Sequence, residues 1–176
     1  MIKTNLDNTN KIFKREPVLA VYDDIPQIDE ISQSFWGESG KYHPYFYKST
    51  ISQKMSYVYK EKDGEVIAFC LARYEHKENQ IGIVLFCVKK NHQRKGLGKS
   101  LLKYCIDNCI KKGYEQFHLH VDTENKPAFN LYTKLGFEIK EFIPNYYYSD
   151  PEPHNNAYLM EYDVTSDENY KKISNK

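Results

Sequence analysis

The chain carries little that would mark it for a membrane, a metal or a nucleic acid. No apolar run approaches the length of a membrane span; the longest amounts to about one strand. Residues 1–11 are polar and lack the apolar segment of a signal peptide. The four cysteines, Cys70, Cys87, Cys105 and Cys109, include no C-x-x-C pair, so no metal is expected. All four fall in strand-like or helix-like apolar patterns. Cys105 and Cys109 stand one helical turn apart, as suits two buried thiols, and a reducing, cytoplasmic location is the expectation that follows. Charge of one sign is also missing: 25 basic side chains face 24 acidic ones, for a net charge of +1. That argues against a nucleic-acid partner, which selects a basic excess. Arginine is scarce, only Arg15, Arg73 and Arg94, so an arginine inside a glycine-containing turn stands out. Tyrosine, by contrast, is abundant at 16 residues, grouped at 42–47 and 146–148.

The patterning reads as one α/β domain over residues 12–164, between a flexible tail (1–11) and a polar tail (165–176). A strand at 18–22 leads into a helix capped by Asp23 or Asp24, with Pro26 in its first turn and Ile28, Ile31 and Phe35 on one face. Gly37 and Gly40 end it, and a short helix is expected at 44–54. Strands at 55–60 and 65–74 join through the hairpin signal Lys62-Asp63-Gly64. A strand at 81–88, a helix at 98–112 and a strand at 117–122 follow. A helix at 125–135, with Pro127 near its start and Gly136 past its end, precedes strands at 137–143 and 157–164. The strand–helix–strand crossover makes 81–88 and 117–122 parallel within a mixed, mostly antiparallel sheet.

Between that crossover's first strand and its helix lies Gln93-Arg94-Lys95-Gly96-Leu97-Gly98. The helix shows an apolar face at Leu97, Leu101, Leu102, Cys105, Ile106 and Cys109. A strand, a turn with two glycines and a helix start can build an anion site from backbone N–H groups, reinforced by the helix's partial positive charge. The spacing fits neither a Walker loop nor a dinucleotide fingerprint. It resembles the acetyl-CoA pyrophosphate loop of the GNAT acetyltransferases, Q/R-x-x-G-x-G/A, with Gln93, Gly96 and Gly98 in register. The segment Asn125-Lys126-Pro127-Ala128-Phe129-Asn130-Leu131-Tyr132-Thr133-Lys134-Leu135-Gly136-Phe137 likewise resembles that family's N-x-x-A-x-x-L-Y-x-K-L-G-F. Asn145-Tyr146-Tyr147-Tyr148, followed by Asn156-Ala157-Tyr158-Leu159-Met160, is similar to the ending of the protein N-alpha-acetyltransferases, among them the ribosomal-protein alanine acetyltransferases. The resemblance spans about residues 15–164.

The resemblance implies the GNAT acyl-CoA fold, in which the two parallel strands splay at one end and helices flank the sheet. It implies acetyl-CoA as co-substrate, with no metal. Backbone groups of Phe86, Cys87 and Val88 would pair with the pantetheine arm. Gln93 would open the loop, and Arg94, Lys95, Gly96, Leu97, Gly98, Lys99 and Ser100 would surround the pyrophosphate. Asn125 would hold the arm's amide, Ala128 and Phe129 would line the far wall, and Tyr132 would sit beside the sulfur as the acid.

The base expected from the residues is His120. Strand alternation puts His118, His120 and Asp122 on one face, and imidazole titrates near neutral pH. His118 is expected at the sheet edge or as support for His120. Tyr146, Tyr147 and Tyr148 would hold the acceptor, with Tyr42 and 45–47 on the opposite wall. One departure stands out: some eukaryotic relatives with histidine at the position of His120 also use a tyrosine where this chain has Gly82, so a second base would come from elsewhere, for example Tyr147, or be absent. The expected activity is acetyl transfer by direct attack in a ternary complex, with a protein or peptide N-terminal alpha-amine as acceptor. A lysine side chain, polyamine or amino sugar is the alternative acceptor, and an acyl-CoA-binding sensor is the non-enzymatic one. The partners expected are acetyl-CoA or CoA and an amine, without nucleic acid or membrane, on a monomer or homodimer.

Overall fold

The structure, a computed structural model, describes residues 16–76, 80–147 and 155–166. They form one seven-stranded sheet: β1 (Val18–Leu19), β2 (Tyr57–Lys60), β3 (Val66–Glu75), β4 (Gln80–Val88), β5 (Gln116–Asp122), β6 (Glu138–Tyr147) and β7 (Asn155–Asp163). Its spatial order is β1-β2-β3-β4-β5-β7-β6. Only β4 and β5 run parallel; every other neighbouring pair is antiparallel, as the crossover predicts.

Helices cover both faces. On one, α3 (Leu97–Lys111) and α4 (Lys126–Thr133) pack with Ile81, Ile83, Leu119 and Val121 of the sheet. The buried stripe of α3 is the apolar set read from the sequence, Leu97, Leu101, Leu102, Cys105, Ile106 and Cys109. Each leucine or isoleucine in it contributes about 1.5–3 kcal/mol by leaving water. On the other face, α1 (Ile25–Trp36) and α2 (Pro44–Ser52) bury Ile28, Ile31, Tyr47 and Ile51 against Val58, Phe69, Leu71, Leu85 and Cys87. All four cysteines are free and buried.

Several expected boundaries move, each for a local reason. The first strand stops at Leu19 because the Asp24 carboxylate accepts from the Val21 N–H at 3.0 Å and turns the chain into a 3-10 segment, Tyr22–Asp24. Asp24 is therefore not a side-chain cap of α1; buried, it pairs with Lys60 at 2.5 Å. Strand β6 continues past 143 to Tyr147, so Tyr146 and Tyr147 lie on a strand rather than in a loop. Pro144 is tolerated there because β6 is the sheet's outer strand, where a missing N–H breaks no ladder on the free side. The expected C-terminal tail begins as a 3-10 turn, Val164–Ser166. Residues 1–15, Tyr148 and the chain beyond 166 lie outside the described residues.

A β-bulge falls in the first parallel strand. Leu71 pairs with Leu85 but Ala72 pairs with Ile83, leaving Val84 as the extra residue. The bulge reverses the alternation: Ile81 and Ile83 face α3, and beyond it Phe86 and Val88 do.

Candidate active site

The two parallel strands are paired only over Ile81–Phe117, Gly82–His118 and Ile83–Leu119. Past Leu119, β5 continues to pair with β7 as far as Asp122–Ala157, and past the bulge β4 continues to pair with β3 as far as Val88–Ala68. The strands therefore fork. The β4 arm presents Phe86, Cys87 and Val88 to the opening, with backbone groups on that side outside any strand ladder. Burial holds the Cys87 thiol up at about 12, so it is an inert wall residue rather than a nucleophile.

The glycine-containing turn closes the mouth of the fork. Arg94 and Gly96 both take left-handed backbone angles, φ 60° and φ 80°. Gly96 is the N-cap of α3 and offers no side chain to the first-turn N–H groups, which leaves them for an anion. Gly98 also serves the packing of the helix. A Cβ there would stand 3.2 Å from the Phe86 ring and 3.5 Å from Val88, so this glycine lets α3 sit close against β4. Gln93 ties the turn to the strand by donating from Nε2 to the Val88 carbonyl at 2.9 Å. Lys95 Nζ donates to the Asn91 carbonyl, also at 2.9 Å, and Ser100 Oγ lies 2.8 Å from the Tyr59 hydroxyl. Arg94 and Lys99 are exposed.

On the far side of the fork, Asn125 caps α4, its Oδ1 accepting from the Ala128 N–H at 3.2 Å. Ala128 and Phe129 are half-buried, and Phe129 leans on Tyr158. Tyr132 is buried edge-on against Phe86, with ring centroids 6.3 Å apart. Burial, then the nearby Cys70, Tyr147 and Cys87, raises its phenol well above the ordinary value, which keeps the proton on the oxygen.

His120 sits one residue beyond the last pairing of the parallel strands, at the apex of the fork. It lies on the face opposite Leu119 and Val121, which pack with Tyr132. Tyr146 stacks on it with centroids 4.3 Å apart and planes at 10°, and Tyr147 meets Tyr146 edge-on at 4.9 Å. Burial and the charge of His118 lower the His120 pKa below the usual histidine value, against the opposing pull of Glu75 and Glu141. Burial keeps both Tyr146 and Tyr147 protonated. Tyr42 stacks on Phe46 at 4.7 Å across from them. The remaining tyrosines of that segment do not form a wall: Tyr47 is core, donating to Asp29 at 2.8 Å, and Tyr45 points to solvent.

His118 is not at the sheet edge. It is buried on a central strand, with Nε2 3.0 Å from Glu75 Oε2 and Nδ1 2.8 Å from Gln80 Oε1. Arg73 holds the other Glu75 oxygen at 3.0 Å. The His118 hydrogen bond, aided by Arg73 and opposed by burial, pulls Glu75 down to about 2. Glu75 escapes a reading of the sequence, since it ends a strand that is otherwise buried on both faces. The one signal pointing toward it is Gly82, the position that departs from the family pattern.

Residues 25–137 match the acetyltransferase (GNAT) family. The chain belongs to that family. It is 32% identical over 150 residues to an N-alpha-acetyltransferase of Sulfurisphaera tokodaii, covering 78% of this chain and 86% of that one. It is also 32% identical over 130 residues to N-alpha-acetyltransferase 50 of Danio rerio, covering 70% and 74%. Among solved structures, Arabidopsis thaliana Naa50 in complex with the bisubstrate analogue CoA-Ac-MVNAL superposes with a TM-score of 0.71 at 25% identity, covering 83% of this chain and 96% of that one. As a GNAT enzyme similar to protein N-alpha-acetyltransferases, the chain is an N-acetyltransferase that transfers acetyl to an amine.

Proposed function

We propose that the chain acetylates the N-terminal alpha-amine of a protein or peptide, with acetyl-CoA as donor. The carrying observation is the placement of His120 at the apex of the fork, roofed by Tyr146 and on the opposite face from Tyr132. The residues present suit acetyl-CoA: an open strand edge at Phe86, Cys87 and Val88 for an amide-bearing arm, and a capless helix start at Gly96 beside Arg94, Lys95 and Lys99 for a diphosphate. Ser100, Leu97 and Gln93 shape that turn; Asn125, Ala128 and Phe129 form its facing wall. When bound, acetyl-CoA supplies the activated acyl group.

His120 removes the proton from the acceptor ammonium, directly or through one water, and its depressed pKa keeps it neutral for that task near pH 7. Tyr132, held protonated by burial, donates to the departing sulfur. Tyr146, Tyr147 and Tyr42 offer rigid rings and hydroxyls to the first residues of an acceptor chain, which costs little conformational entropy. The domain responsible spans residues 12–164. The relatives' acceptor class and the bound peptide analogue of Naa50 support the same reading.

The test is acetylation of peptides with free or blocked N-termini, read by mass spectrometry. Label is expected on the alpha-amine of free peptides only. Equal rates on blocked, lysine-bearing peptides would move the acceptor to side chains and overturn the proposal.

A further inference from the structure

Arg73, Gly82 and His118 occupy one row across β3, β4 and β5, by the registers Arg73–Gly82 and Gly82–His118. Glu75, two residues along β3 on the same face, reaches over the middle strand to touch a side chain of the third. Neighbouring strands lie about 4.8 Å apart, so such a reach spans roughly 10 Å and needs a gap in the middle strand. Gly82 is that gap. A Cβ there would come within 3.0 Å of the Glu75 carboxylate and 3.1 Å of His118 Nε2.

The resulting pair is buried on the His118 side and continuous with the base. The His118 and His120 rings lie 6.3 Å apart at 76°. Oxygens face both nitrogens of His118, Glu75 at one and Gln80 at the other, which suits a ring carrying both protons. Three other charged groups near this face have partners of their own. Arg73 lies on Glu75, Glu161 of β7 (the register partner of His118) on Lys140 at 3.6 Å, and Asp122 accepts from Asn155. Glu141 and Tyr146 approach His120 from β6.

We propose that Glu75 and His118, joined across Gly82, are positioning residues that set the charge state of His120. The cation of His118 disfavours a second proton two residues along the strand. The Glu75 carboxylate fixes that cation and limits how far its field reaches. The absence of a tyrosine at 82 and the presence of this pair are thus one feature: the space a side chain would take is used to bring a carboxylate across the strand.

The inference rests on His120 as the base, and its test is separable from that reading. His120 is titrated in the free, full-length protein by the chemical shift of its ring carbon, and the pH profile of kcat/KM for peptide acetylation is measured in parallel. His118→Gln removes the cation and leaves Glu75 facing His120, so the His120 midpoint should rise by about half a pH unit or more. His118→Tyr keeps an aromatic ring and a hydroxyl for Glu75 but no charge. It should do the same, and serves if glutamine impairs folding. Adding Glu75→Gln to either should return the midpoint toward that of the unsubstituted chain, a coupling that general damage to the fold would not produce. The acidic limb of kcat/KM should follow each shift. An unmoved midpoint in the folded single variants, or no return in the double variants, overturns the proposal. Loss of peptide acetylation in the unsubstituted chain would overturn the proposed function and leave this titration readable.

Discussion

Single side chains carry the proposed chemistry, and their environments push their pKa values in opposite directions. His120 is biased toward its neutral form and Tyr132 toward its protonated form, by burial in both cases. A base with a depressed pKa loses activity as pH falls through that lowered value. The acidic limb of kcat/KM is therefore expected below the ordinary histidine value of 6.5, and a limb above it would contradict the assignment. His120→Ala should slow turnover at neutral pH at least about tenfold. Tyr132→Phe keeps the packing against Phe86 and Phe137 and removes only the hydroxyl. It should lower kcat by a similar factor with little change in Tm or in KM for acetyl-CoA; a large fall in Tm would assign the hydroxyl to structure instead. Both residues were legible in the sequence, one from strand alternation and the other from its place in the α4 segment. The partnership of Glu75 with His118 was not. The two lie on different strands, and only the order β3-β4-β5, with glycine between them, brings them together.

Among the elements, those with a strong apolar period and ordinary end signals stand where the pattern puts them. Helix α3 begins one residue early and ends one residue early; α4, expected over 125–135, runs Lys126–Thr133, with Asn125 as its cap and Gly136 beyond its end. The departures have separate causes. A carboxylate from the next turn shortens β1, an outer position lets β6 run through a proline, and a bulge at Val84 interrupts an otherwise continuous apolar strand. The two glycines at the start of α3 also separate at this scale. Gly96 holds φ 80° with nothing within 4 Å of where a Cβ would go. Gly96→Ala therefore meets no clash and acts through the backbone, at a cost of about 1–2 kcal/mol. Because the strained turn also presents the first amides of α3, the same substitution should weaken CoA binding about tenfold by calorimetry; an unchanged affinity would remove that turn from the cofactor site.

For the molecule as a whole, the fork is the defining arrangement. A sheet continuous on either side opens along one seam, with the glycine-containing turn at its mouth and His120 at its apex. A ligand bridging the two arms stabilises both halves at once. CoA at a hundredfold excess over its Kd should add about 2.7 kcal/mol and raise Tm by roughly 5–10 °C. The absence of any shift would place CoA elsewhere or nowhere. The same layout separates two kinds of duty by position. His120 belongs to a strand hemmed in on both sides, while its roof, Tyr146, hangs from the outermost one. Divergence can accordingly retailor what is admitted above the imidazole by editing the margin of the molecule, leaving the imidazole itself, in the interior, in place.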